Sequence, residues 1–205
     1  MHVVVGRAIV WTDGGADHPT VPLLAHASSG VVWVDSHVTN LAFHSIGMEQ
    51  DNRGETDALI AVLLQARVRH DAGRGMPIFV RTDFDLVAVY ANTLLDWIYT
   101  GVEPQTPDID KWPYPDLWHI VDAHLRTLPV NYVACCWVKG HAAAQHVHLG
   151  LTTELGTKGN TAADAQAGLG LLMGGSPPTQ LAEPLSALGG SRPSSDSCRG
   201  SFWRG

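Results

Sequence analysis

The order of the apolar runs restricts the fold of this chain more than any other feature. Three strand-like runs come first: "RAIVWTD" (7–13), "SGVVWVDS" (29–36) and "NLAFHSIGM" (40–48). They lie close enough in sequence to form a meander. Helix and strand patterns then alternate. "NRGETDALIAVLLQARVRH" (52–70) reads as a helix, because Leu59, Val62, Leu63 and Ala66 recur at i, i+3, i+4 and i+7. "PIFVRTD" (77–83) reads as the fourth strand and "NYVACCWVKGH" (131–141) as the fifth. Between them lie two helical patterns, "DLVAVYANTLLDWIYT" (85–100) and "YPDLWHIVDAHLRTL" (114–128), the second with Pro115 in its first turn. A last helix is expected over "NTAADAQAGLGLLM" (160–173). Three successive strands followed by alternating helix and strand describe an α/β chain with one mixed sheet and helices packed on its faces.

A length of 205 residues suits one good core. The stretch from Gly174 to Gly205 is rich in Gly, Ser and Pro, the composition of a flexible tail or linker. The folded domain is therefore expected over 1–173. The tail holds three arginines against two acids, so the −7 of the whole chain becomes −8 for 1–173. Such a charge argues against strong non-specific binding of nucleic acid, which works by neutralising phosphates. Three cysteines supply no disulfide framework, and Cys135 and Cys136, adjacent on a strand, would face opposite ways. A reduced intracellular setting, cytoplasmic or nuclear, is the simpler expectation. No signal peptide is expected from the first residues, and no apolar run approaches the roughly 20 residues of a membrane-spanning helix.

Four carboxylates stand out by position. Two strands end alike, in Thr12-Asp13 and Thr82-Asp83, and strand ends of α/β sheets are where ligand sites collect. A single such Asp reads most simply as a turn residue or helix cap; two copies weaken that reading. Glu55 continues the apolar stripe of Leu59, Val62 and Ala66 toward the start of its helix, so it points at the sheet. Asn52 and Glu55 also have capping-box spacing, and the two roles are compatible. Asp164 shares a stripe with Ala167, Gly168 and Leu171, at the edge of a buried face. Its simpler reading is an early-helix acid with Asn160 as cap. Four converging carboxylates would repel one another and are sustainable around divalent cations. Oxygen-only ligands favour a hard ion such as Mg²⁺. Two such ions could serve hydrolysis of a phosphodiester.

The pieces "WTDGG", "NRGETDA", "VRTD", "WVKGH" and "GNTAADAQA", in this order over about residues 5–172, resemble the type 1 ribonuclease H family, including the related domains of retroelement polyproteins. The resemblance implies a ribonuclease H-like fold: a five-stranded mixed sheet, three strands antiparallel and the rest parallel, with helices on both faces. It implies endonucleolytic cleavage of the RNA strand of RNA/DNA hybrids with two Mg²⁺ ions, for which Mn²⁺ can substitute. Asp13, Glu55, Asp83 and Asp164 then match the metal-binding carboxylates. His141 matches a mobile histidine that assists proton transfer or product release, and histidine titrates near neutrality, which suits that role. The plainer reading of His141 is a solvated loop residue, one of 11 histidines. Gly14 and Asn52 match positions that touch the RNA strand near its 2′-hydroxyls, the group that distinguishes RNA from DNA.

Several residues depart from the family pattern. Gly15 and Phe84 stand where serine is common, Asp51 precedes Asn52, and Asp85 adds negative charge. Arg81 shares strand parity with Asp83 and would place a positive charge on the same face. The loop 142–159 is long; its His146 and His148 have no complementary Cys or His at a convincing spacing for a transition-metal site. The segment "GVEPQTPDIDKWPYP" (101–115) is acidic where some relatives carry a basic, substrate-gripping protrusion. The expectation is that a partner, such as a reverse-transcriptase region of a larger polyprotein, supplies affinity for the hybrid. A nuclease-dead scaffold domain of the same fold, and a DNA-cutting relative such as an integrase or resolvase, are the alternatives.

Overall fold

The computed structural model describes residues 6–17, 26–34, 39–45, 51–101 and 107–173. The expected tail, and residues 46–48 of the third strand-like run, lie outside them. Five strands form one sheet in the order β3-β2-β1-β4-β5. They are β1 (Ala8–Asp17), β2 (His26–Trp33), β3 (Leu41–His44), β4 (Ile78–Thr82) and β5 (Val133–Trp137). β1, β2 and β3 pair antiparallel, and β4 lies parallel to both β1 and β5. The expected mixed sheet is therefore present. Short connections turn the chain back beside itself, whereas a helical crossover returns it in the same direction.

Helices α1 (Asp51–Asp71), α2 (Asp85–Thr100) and α3 (Pro115–Thr127) share one core with the sheet. Leu59, Val62, Leu63 and Ala66 of α1 are all buried there, as their spacing requires. α4 (Ala144–His148) is short and was not apparent from periodicity; α5 (Glu154–Leu172) packs on β1, β2 and β3. Strand alternation divides the two sides. Val10 and Val31 enter the larger core, while their neighbours Trp11 and Val32 form a small second core with Ala163 of α5.

Two boundary differences bear on the site. β1 does not stop at Asp13: it continues through Gly14 and Gly15 to Asp17, paired residue by residue with β2. Glycines disfavour a strand locally, but a complete ladder partner overrides that preference. Likewise α5 begins at Glu154, six residues before Asn160. Its cap is Thr153, whose side chain accepts the Gly156 N–H at 3.0 Å. Gly156 and Gly159 hid this start, since each costs a helix about 1 kcal/mol relative to Ala. The packing explains Gly159: a Cβ there would overlap the indole of Trp11.

Candidate active site

β1 pairs with β4 only from Ala8 to Thr12, where Thr12 stands opposite Thr82, the last residue of β4. Asp13 and Asp83 follow these two threonines. They leave the carboxyl ends of adjacent parallel strands, at the place in the sheet where parallel pairing gives way to antiparallel. Ligand sites of α/β sheets form at such switch points. Asp13 thus lies at the end of one hydrogen-bonded edge of β1, although the strand itself continues along its other edge.

Glu55 enters from the first turns of α1 and is 7% exposed; Asp13 is 5% exposed. Thr82 Oγ1 donates to Glu55 Oε2 at 3.5 Å, at the long limit of a hydrogen bond, and the backbone N–H of Gly14 serves both Asp13 and Glu55. Carboxylate oxygens of Asp13, Glu55 and Asp83 all lie within 4.8 Å of one another. Among the described residues this is the one such gathering of three or more Asp, Glu, His or Cys side chains.

Burial is the main reason that the Asp13 carboxyl is pushed up to about 7, with the charges of Asp83 and Asp164 adding to it. Burial likewise holds Glu55 well above its ordinary value, reinforced by Asp13 and Asp83. Three hard oxygen donors gathered in one largely buried group fit a divalent cation, which would relieve the repulsion that raises Asp13 and Glu55.

A pH dependence follows. In the unfolded chain Asp13 loses its proton near 3.8, in the native state near 7. Between these values the native state holds a proton that the unfolded state lacks, so stability falls as pH rises through the window. Without cations, the melting temperature is expected to drop from pH 5 to pH 7. Mg²⁺ should restore more stability at pH 7 than at pH 5. Thermal melts in chelator and in Mg²⁺ check this; equal metal stabilisation at both pH values would contradict the clustered-charge picture.

Asp164 lies outside the group of three. Its side chain is exposed, because the buried stripe of α5 is Gly156, Gly159, Asn160, Ala163, Ala167 and Gly170. The expected phase was off by one residue, and Gly168 is exposed as well. The Asp164 charge nevertheless reaches Asp13. His141 is exposed and has φ +46°, in the left-handed region that few side chains occupy. It follows Gly140, whose Cα packs so tightly on Asp83 that a Cβ would overlap Oδ2. The loop after β5 therefore carries His141 to within one residue of the acidic group.

Gly14 lies half-buried in β1 beside Asp13, whereas the Asn52 side chain is outside the described residues. Gly15 has a packing reason for departing from serine: a Cβ would come 2.8 Å from Ser28 Oγ. Phe84 packs against the larger core. Arg81 does not pair with the carboxylates. Its guanidinium lies 5.7 Å from the Trp11 ring centre and 5.4 Å from that of Phe79, and its charge acts on Cys136. Cys135 and Cys136 face opposite ways as expected; burial pushes the Cys135 thiol up to about 12. His146 accepts the Ala143 N–H at Nδ1, 2.9 Å. In the acidic segment, Asp108 pairs with Lys111 and Asp110 with His119.

One residue at the site was misread in the sequence. Asn160, a cap by expectation, is 3% exposed in the interior of α5, and its Nδ2 donates to Asp83 Oδ2 at 3.1 Å. Nothing local marks this contact, which spans 77 positions. Trp137 Nε1 also donates to the Asp83 carbonyl, at 2.8 Å.

The sheet order, the helices on both faces and the acidic end of the central strands define a ribonuclease H-like fold. No family model matches the sequence. No curated protein matches it. Solved structures do. The protease–reverse transcriptase of prototype foamy virus is 22% identical over 83% of this chain, with a TM-score of 0.58. This chain spans about a fifth of that protein, 21%. The ribonuclease H domain of the same virus is 20% identical, with 82% of this chain and 96% of that domain covered and a TM-score of 0.57. The foamy viral protease–reverse transcriptase in complex with RNA/DNA hybrid is 18% identical over 83% of this chain and 20% of that one, TM-score 0.55. Among the described residues no helix is long and apolar enough to cross a membrane.

Proposed function

We propose that the protein is a type 1 ribonuclease H, a divalent-metal-dependent endonuclease that hydrolyses the RNA strand of RNA/DNA hybrids. One observation carries the reading: Asp13, Glu55 and Asp83 converge within 4.8 Å at the carboxyl ends of the central strands. The fold it shares with part of a foamy viral protease–reverse transcriptase solved in complex with RNA/DNA hybrid supports the choice of substrate. Asp13, Glu55 and Asp83 would hold the cation, with Asp164 completing the site from α5. Two Mg²⁺ ions, or Mn²⁺ in their place, would activate the attacking water and neutralise charge on the phosphodiester. His141 moves a proton or eases product release from the adjoining loop, while Gly14 and Asn52 contact the RNA strand. The catalytic unit is residues 1–173. Because it carries −8, affinity for the hybrid is supplied by a partner or by a reverse-transcriptase region joined to it.

The test is cleavage of labelled RNA/DNA, RNA/RNA and DNA/DNA duplexes in Mg²⁺ and in Mn²⁺. Cutting confined to the RNA strand of the hybrid is expected. Cutting of DNA would place the protein with the DNA-cutting relatives, and inertness toward all three duplexes would leave it an interaction domain.

A further inference from the structure

Asp83, the residue after β4, is gripped from β5, from the loop that follows β5 and from α5. Trp137 of β5 bonds its carbonyl, Gly140 packs on its carboxylate, and Asn160 of α5 donates to Oδ2. Resting on the proposed function, we infer that Asn160 is a positioning residue of the metal site, and that its amide orients the Asp83 carboxylate to share a divalent cation with Asp13 and Glu55.

Packing alone disfavours an amide at this position. Asn160 is 3% exposed, and its Oδ1 is buried with no hydrogen-bond partner among the described residues. A buried unpaired polar atom costs about 1–3 kcal/mol, so an apolar side chain of similar volume would be more stable there. The Nδ2 contact with Asp83 is what the amide gains in return. Charge sets its direction: the reversed amide would place two acceptors against each other, Oδ1 facing a carboxylate oxygen.

The helix that carries Asn160 cannot drift. Gly159 lies against the Trp11 indole, Ala163 is fully buried on the sheet, and Thr153 caps the first turn. The amide is therefore delivered from a backbone held on both sides, and it removes rotational freedom from the carboxylate it touches. Its neutrality matters as well. An Arg or Lys at this place would also grip Asp83, but its charge would offset the negative field that draws in a divalent ion. Asn160 orients the ligand and leaves the charge of the group intact. It also stands one helical turn before Asp164, so α5 brings a neutral donor and a fourth carboxylate to the same end of the sheet.

Mn²⁺ binding to the full chain, measured by calorimetry alongside the melting temperature in chelator, tests this. Asn160→Ala removes the donor; Asn160→Leu removes it while keeping the volume. Both variants should fold and bind Mn²⁺ about tenfold more weakly than the parent, as expected on removing a hydrogen-bond partner of a metal ligand. Their metal-free melting temperatures should shift much less than the metal-induced gain does. Mn²⁺ affinity within twofold of the parent in a folded variant overturns the inference and leaves the proposed function standing. Loss of folding in both variants overturns it too, because the residue would then be structural. A parent chain that binds no Mn²⁺ overturns both readings.

Discussion

Asp13→Asn is expected to abolish hybrid cleavage and to make the metal-free protein more stable. The two effects have one cause. Asp13 is buried at the centre of the acidic group, and its carboxyl is pushed up to about 7 by burial and by the charges around it. A pKa unit corresponds to about 1.4 kcal/mol. Moving the carboxyl from 3.8 to about 7 therefore costs the native state roughly 4 kcal/mol at pH 7 without cations. An asparagine keeps the shape and removes that cost. It also removes one of the three carboxylates proposed to hold the cation, and metal stabilisation of charge in phosphoryl hydrolysis is worth several kcal/mol. A loss of at least a thousandfold in rate is the expected result, since about 4 kcal/mol corresponds to that factor. Cleavage assays and melts in chelator read the two sides. A variant that loses activity and stability together would point to a structural role for Asp13.

Gly30→Ala is expected to cause a large loss of stability. Gly30 of β2 lies directly under α5, where a Cβ would overlap the carbonyl oxygen of Ala163 and the backbone nitrogen of Ala167. These two atoms are acceptor and donor, respectively, of one helical hydrogen bond. Backbone cannot change rotamer, so α5 would have to lift from the sheet. The expected cost is about 3 kcal/mol or more, a fall in melting temperature of roughly 6–12 °C for a domain of this size. Because α5 also carries Asn160 and Asp164, metal affinity should fall with it. Gly168→Ala is the control: a Cβ there meets nothing within 4 Å, and a glycine replaced in an exposed helix position should gain about 0.5–1 kcal/mol. Equal stabilities of the two variants would show that α5 does not seat on β2 as described.

Much of the fold was legible because its signals are local. The apolar stripe of α1, the span of α2 from Asp85 to Thr100 and Pro115 in the first turn of α3 all hold as read. The candidate site was legible in part for the same reason. Thr-Asp repeats at two strand ends, and Glu55 sits on the buried phase of its helix; the structure brings these three carboxylates together. The misreadings share a different origin. β1 runs on to Asp17 because β2 supplies a partner for each residue. α5 starts at Glu154 despite two glycines because Gly159 lets the helix lie on Trp11. Asn160, read as a cap, is instead an interior helix residue that reaches Asp83, while Asp164 one turn later is exposed, with its charge still acting on Asp13.

By itself the sequence determined the order of the five strands and of the helices other than α4, the face that α1 buries, and the residue types able to hold a hard cation. These follow from periodicity and side-chain chemistry, which act over a few residues. Only the tertiary structure decided which carboxylates meet and which neutral side chain reaches them. That outcome depends on the seating of α5 against the sheet, where contacts such as Asn160 to Asp83 join positions 77 residues apart. Excluded volume and hydrogen-bond geometry choose among such contacts only after the chain has closed on itself.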